Sequence, residues 1–207
     1  MQRRNIRRLG YLSCALIGCA IAWSIYAMTR PVDEVVLTLG EPYEQVRKQS
    51  HSTLPPVEPD TSWAGVLIRP AKLRFVDSRY GFVTPAAKFF MVPYDKNGNV
   101  GSLVLSPQVE TLPLDESMVI LTDLQNQFRR GGWEPFYSST NRSIEDTQAT
   151  RSAIRACNAP TTRWQADEKY QVSLNIRCFR TDDRPDDERY LITLDLGSPV
   201  FEDHPDD

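Results

Sequence analysis

The chain has 207 residues with 24 Lys+Arg against 27 Asp+Glu, and its formal charge of −3 averages two unlike parts. Residues 1–30 hold five arginines and no acid, leaving 19 basic and 27 acidic residues over 31–207, a formal charge of −8. Such an acidic domain excludes nucleic acid as the expected partner, because phosphate binding needs a basic face to displace counterions. A content of 41% hydrophobic and 10% aromatic residues excludes wholesale disorder.

Residues 1–8 form a basic segment carrying Arg3, Arg4, Arg7 and Arg8, expected on the cytoplasmic side. Leu9 to Met28 follows without a single charge. As a helix it would span roughly 30 Å, the thickness of a bilayer's hydrocarbon core, so residues 9–28 are predicted as a transmembrane signal anchor. Three fates fit this segment. It stays as a single-pass anchor in the inner membrane. Alternatively, Leu16-Ile17-Gly18-Cys19 serves as a lipobox and Cys19 carries a lipid. The third fate is cleavage at Ala20-Ile21-Ala22, which fits a signal-peptidase rule. All three put residues 29–207 on the exported, periplasmic side as one domain with an acidic tail.

Cysteine usage agrees with that compartment. Cys157 and Cys178 remain outside the apolar segment, with no CxxC and no nearby histidine to suggest zinc. In an oxidising compartment they are predicted to form a disulfide worth roughly 3 kcal/mol, the alternative being two buried thiols.

Within the exported part, Asp33 to Leu39 reads as an apolar run ending at Gly40, and Pro42 opens a short helix to about Gln49. Ser50 to Thr61 carries three prolines and reads as a loop. Trp63–Arg69 and Lys72–Val76 alternate as strands. A hairpin is expected around Asp95-Lys96-Asn97-Gly98-Asn99, since Asn-Gly supplies the positive φ of a tight turn. The same residues resemble the start of a calcium loop. However, Val100 and Ser106 stand where that loop needs glycine and glutamate.

Asp115 to Arg130 is predicted as a helix, with Met118, Leu121, Leu124 and Phe128 on one face and Gly131-Gly132 ending it. Ser143-x-x-Asp146 suggests a cap for a second helix running to Ala156. Lys169–Arg180 and Tyr190–Leu196 alternate as strands around a turn at Thr181–Glu188, with Cys178 on the core face. The expected fold is α+β: an N-terminal transmembrane helix followed by one antiparallel sheet with helices packed on one face.

Catalytic patterns are missing. There is no GxSxG, SxxK, phosphate loop or HExxH, and the two histidines, His51 and His204, have no neighbours forming a triad or ligand set. No catalytic, metal or cofactor residue is therefore assigned. The carboxylates Asp182-Asp183 and Asp186-Asp187-Glu188 read as a solvated turn, with weak divalent-cation binding as the alternative. What remains is binding: aromatics near loops (Trp63, Tyr80, Phe82, Trp133, Phe136, Tyr137 and Trp164) could anchor a protein interface or belong to the core. The acidity of the domain favours a basic protein partner.

Residues Leu37–Lys48 (LTLGEPYEQVRK) resemble the strand end, glycine and helix opening of SmpA/BamE-type envelope lipoproteins. That likeness implies a role in envelope structure or assembly. In layout the chain is also similar to membrane-anchored periplasmic proteins of Gram-negative bacteria that act as immunity proteins for secreted lipase toxins. That second likeness implies a protein-binding module rather than an enzyme, and carries no residue across.

Overall fold

The computed structural model describes residues 31–136, 142–181 and 184–199. The predicted anchor, Cys19 and His204 lie outside the described residues, and among those described no helix is long and apolar enough to cross a membrane.

The fold is α+β, dominated by strands. β1 (Asp33–Leu37) leads through Gly40 into α1 (Tyr43–Gln49). Then come β2 (Trp63–Val66), β3 (Ala71–Phe75), β4 (Phe82–Val83), β5 (Phe90–Tyr94) and β6 (Ser102–Leu105). α2 (Leu114–Arg130), β7 (Glu134–Pro135), α3 (Gln148–Arg155), β8 (Thr161–Ala166), β9 (Tyr170–Thr181) and β10 (Arg184–Gly197) complete it.

The strands form two sheets, which corrects the expectation of one. A seven-stranded sheet has the order β2-β5-β6-β10-β9-β8-β7 and is antiparallel throughout, while a three-stranded sheet has the order β1-β3-β4. In the smaller sheet β1 and β3 are parallel, Val35 opposite Leu73. A parallel pair needs a long crossover, and the stretch through α1, the proline-rich loop and β2 supplies it. The apolar run of β1 shows that it is buried but not which strand it meets.

Several boundaries shift for local reasons. Pro42 caps α1 instead of opening it. β2 stops at Val66, and the chain turns before β3. α3 starts after Thr147, whose Oγ1 accepts from Thr150 N at 3.1 Å, so the cap is Thr147 and not Ser143. Asp146 pairs instead with Arg151, its Oδ1 2.5 Å from Nε, and Arg151 also meets Asp115 of α2. The acids Asp186–Glu188 belong to β10 rather than to a turn, beside an irregularity between Arg184 and Arg189.

The hairpin stands as expected. Asp95 Oδ1 accepts from Asn97 N at 2.8 Å and Asn99 N at 2.9 Å, and Gly98 takes φ 77°. The carboxylate closes the turn on the chain's own amides, which lowers its pKa.

One face of the larger sheet is buried throughout. Phe90 and Val92, Leu103 and Leu105, Val172, Leu174 and Ile176, and Ile192, Leu194 and Leu196 all point into the core. An aromatic cluster joins the two sheets and α2: Phe75 stands edge-on to Tyr170 at 5.0 Å, and Phe82 edge-on to Phe128 at 5.0 Å. Tyr80, Phe82, Trp133 and Trp164 are buried in this core, so four of the proposed interface aromatics are structural. Trp133 Nε1 donates to Tyr80 O at 3.0 Å, which satisfies its polar edge.

Candidate docking face

A strand edge is the usual place for another chain to bind, because its backbone groups are unpaired. Here the two edges of the smaller sheet, at β4 and β1, are closed by hydrogen bonds. Gln127 of α2 pairs with Val83 of β4 as a neighbouring strand would: Oε1 accepts from Val83 N at 3.0 Å and Nε2 donates to Val83 O at 2.9 Å. The outer edge of β1 is closed by the end of α1, through Val36 N to Ser50 Oγ at 3.0 Å and Gln49 Nε2 to Val36 O at 3.1 Å. The proline-rich loop runs past β2. Thr53 Oγ1 accepts from Ile68 N and Arg69 N, and Tyr43 Oη, packed on Gly65, donates to Pro55 O at 3.0 Å.

Two more glutamines act as Gln127 does. Buried Gln125 takes Ile144 N at 2.9 Å and donates to Ile144 O at 3.1 Å. Buried Gln108 takes Ile192 N at 2.9 Å and donates to Tyr190 O at 2.9 Å. A side-chain amide has the donor and acceptor of a peptide unit, so it can satisfy backbone groups where no strand is present.

The open surface is the outer face of the seven-stranded sheet. Alternation should make it polar, and toward β8 it is: Gln171, Ser173 and Asn175 lie there. Toward β5, β6 and the far end of β10 it is apolar. A groove of about 670 Å³ has Val104 and Leu191 on its floor and Phe89, Val109 and Phe179 as walls. These three wall residues are 47%, 48% and 43% exposed. In the strand register Val104 lies opposite Met91, which lies opposite Val66, so the apolar surface continues to β2. Three charged residues rim the groove: Lys88, Glu110 and Arg177. None of them is in an ion pair among the described residues; Arg177 donates only to Thr193 Oγ1 at 3.4 Å.

Trp63, 62% exposed, is the sequence-nominated aromatic that does stay at the surface; Phe136 is half-buried and Tyr137 lies outside the described residues. Phe89 and Phe179 were not nominated; Phe179 breaks the polar side of β9, and Phe89 stands just before β5. The break in the alternation of β9 is the signal that would have found Phe179.

A second, polar cleft of about 460 Å³ includes Gly40, Asp95, Ser102 and Lys169. Beside it, Asp77 anchors the turn before β4. Burial alone would raise its pKa, but N–H groups of Tyr80 and Arg79, with Lys169 Nζ at 3.3 Å and Tyr170 Oη at 3.2 Å, hold it at about 2. A carboxylate so saturated with donors stays ionised and serves as a structural pin. Tyr80 Oη donates to Asp167 across the same corner, and this bond raises the tyrosine's pKa.

The cysteines meet on the inner side. Cys157 and Cys178 lie at disulfide distance, with Cα atoms 5.3 Å apart. Cys157 follows α3 in the left-handed region, φ 60°, where its N–H bonds to Ile154 O and Asn158 N–H bonds to Ala153 O. This is a Schellman ending, normally given to glycine. His51 lies at the edge of β1, Nδ1 3.4 Å from Asp33 Oδ1, while Arg69 holds the other oxygen at 2.8 Å. Asp182 and Asp183 are outside the described residues; Glu188 faces Arg155 at 3.6 Å and Asp187 pairs with Arg189 at 2.8 Å. Among the described residues no group of three potential metal ligands converges. Comparison with protein-family models, curated proteins and solved structures found no match.

Proposed function

We propose that this protein is a membrane-anchored module on the periplasmic side that binds another protein through the outer face of its seven-stranded sheet. The observation that carries this reading is the apolar groove walled by Phe89, Val109 and Phe179. It is open while both edges of the smaller sheet are closed. A face of this kind gains from burial against a complementary surface, at about 25 cal/mol per Å² of apolar area. Leu9–Met28 holds the domain at the inner membrane as a single-pass anchor, with lipidation at Cys19 as the alternative attachment. The domain acts by binding and not by turnover, and its layout favours a secreted toxin as the protein it neutralises.

The test is capture of a partner by the full chain, purified in detergent, from envelope extract and from secreted protein. A stoichiometric protein retained by wild type and lost with Val104→Asp is the expected result. Equal recovery by both proteins, or none by either, would overturn the reading.

A second reading is an envelope assembly factor of SmpA/BamE-like type. It is favoured by the local path of β1, Gly40 at φ 88° and α1, over the residues that carry the resemblance. Deletion that leaves envelope permeability and outer-membrane protein levels unchanged would remove it.

A further inference from the structure

We infer that the outer sheet face pairs two copies of this chain about a two-fold axis, so that self-association covers the docking groove until another protein displaces it. This rests on the reading that the face docks protein, and adds how that face is regulated.

Three observations lead to a second copy as the occupant. First, apolar residues border the groove from several strands. Val66, Met91 and Val104 form one row across β2, β5 and β6, which ends at Asp195 opposite Val104 on β10. Three strands spaced about 4.8 Å apart make this row about 10 Å across. Farther along the sheet Leu191 and Phe179 line the same groove as Val104.

Second, the rim holds both signs of charge, and neither is used at home. Lys88, Arg177 and Glu110 border one groove without an ion pair among the described residues. A surface that meets its own copy must be self-complementary: if residue i of one copy touches residue j of the other, j also touches i. Cations and an acid on the same rim meet that condition, since a two-fold can set Lys88 and Arg177 of each copy against Glu110 of the other. A purely basic partner would face two uncompensated cations here, despite the −8 charge of the whole exported domain.

Third, the covered edges decide the form of assembly. Open edges would allow strands to add without end, whereas Gln127, and Gln49 with Ser50, close both edges of the smaller sheet. Face-to-face pairing about a two-fold closes at two copies.

The experiment measures the mass of the full chain in detergent by light scattering, from low micromolar concentration upward. Wild type is expected to reach twice the monomer mass. Glu110→Lys alone, and Lys88→Glu with Arg177→Glu together, are each expected to weaken pairing on the order of tenfold or more through like-charge contact. Mixing the two variants should restore pairing as a heterodimer. These positions lie at the surface, so the variants should match wild type in far-UV circular dichroism and melting. A wild type that stays monomeric overturns the inference, as does a dimer indifferent to both charge variants or a mixture that fails to pair. Failure of self-pairing is read from the mass of the purified protein and failure of the docking reading from partner capture, so the two fall separately.

Discussion

The two faces of the seven-stranded sheet obey the same alternation to different depths. On the inner face Leu174, Ile192 and Leu194 have no exposed surface, and every second residue from Val172 to Ile176 and from Tyr190 to Leu196 is buried. On the outer face, the polar series Gln171, Ser173 and Asn175 gives way to Phe179 on the same side of the same strand. Conformity on one face is what folding requires. The departures on the other face are what folding does not explain, and they gather around a single groove. Residues placed against the local rule without a core to receive them therefore mark the surface where another chain would be received.

This contrast can be broken most directly by paired substitutions on β10. Leu194→Ala on the inner face should cost about 2–5 kcal/mol, the loss of buried contacts plus a cavity. Thr193→Ala, one residue away on the outer face, should stay within about 0.5 kcal/mol. Denaturant titrations with unchanged slope would give both values, and similar costs would show that the outer face is also core. Reduction of Cys157–Cys178 should cost about 3 kcal/mol, because the bond closes a loop with a sequence separation of 21. Thiol counts should rise by two on reduction of the unfolded protein, and equal counts before and after would show that no bond forms.

Smaller effects separate buried from accessible amides. Gln125→Ala strands the N–H and C=O of Ile144 inside the protein and should cost about 2 kcal/mol. Gln127→Ala leaves the backbone of Val83 near water and should cost less than about 1 kcal/mol. Thermal melts of the two variants would order them, and a reversed order would refute the surrogate-peptide account. Stability should also depend on pH. Asp77 has a folded-state pKa of about 2 against an ordinary 3.8, so its ionised form stabilises the fold above roughly pH 4. That contribution disappears as pH falls toward 2. Asp77→Asn should flatten the acid limb of stability measured between these values, and an unchanged limb would assign it to other carboxylates.

Much of the local structure was legible in the sequence. The hairpin at Asn97-Gly98 and the helix ended by Gly131-Gly132 carry their own signals, in turn chemistry and a period of 3.6. The faces of β9 and β10 carry theirs in a period of two. Pairing partners do not show in such patterns: β1 reads the same whether it meets β3 in parallel or joins the larger sheet. The glutamine contacts were illegible for a similar reason, since nothing around Gln108 or Gln125 distinguishes an amide that replaces a peptide from one in water. Loop position was a poor guide to the interface, because Trp133 and Tyr80 lie next to turns and are nonetheless core. For the docking face, the signal was present in Phe179 but needed the register of neighbouring strands to become a surface.

The side-chain amides that close the sheet also set how the protein ages. Hydrolysis of a glutamine amide to a carboxylate removes both donors and places negative charge against a carbonyl. Gln125 and Gln108 are sealed from the water that reaction consumes, whereas Gln127 is only half-buried at the end of β4. Among these three glutamines, deamidation on long storage should therefore begin at Gln127 and open one strand edge while the core is intact. Peptide mapping of aged protein would locate the first converted glutamine, and conversion at Gln125 ahead of Gln127 would contradict this order. Loss of shelf life would then be read as gradual edge-to-edge association, beginning long before the molecule unfolds.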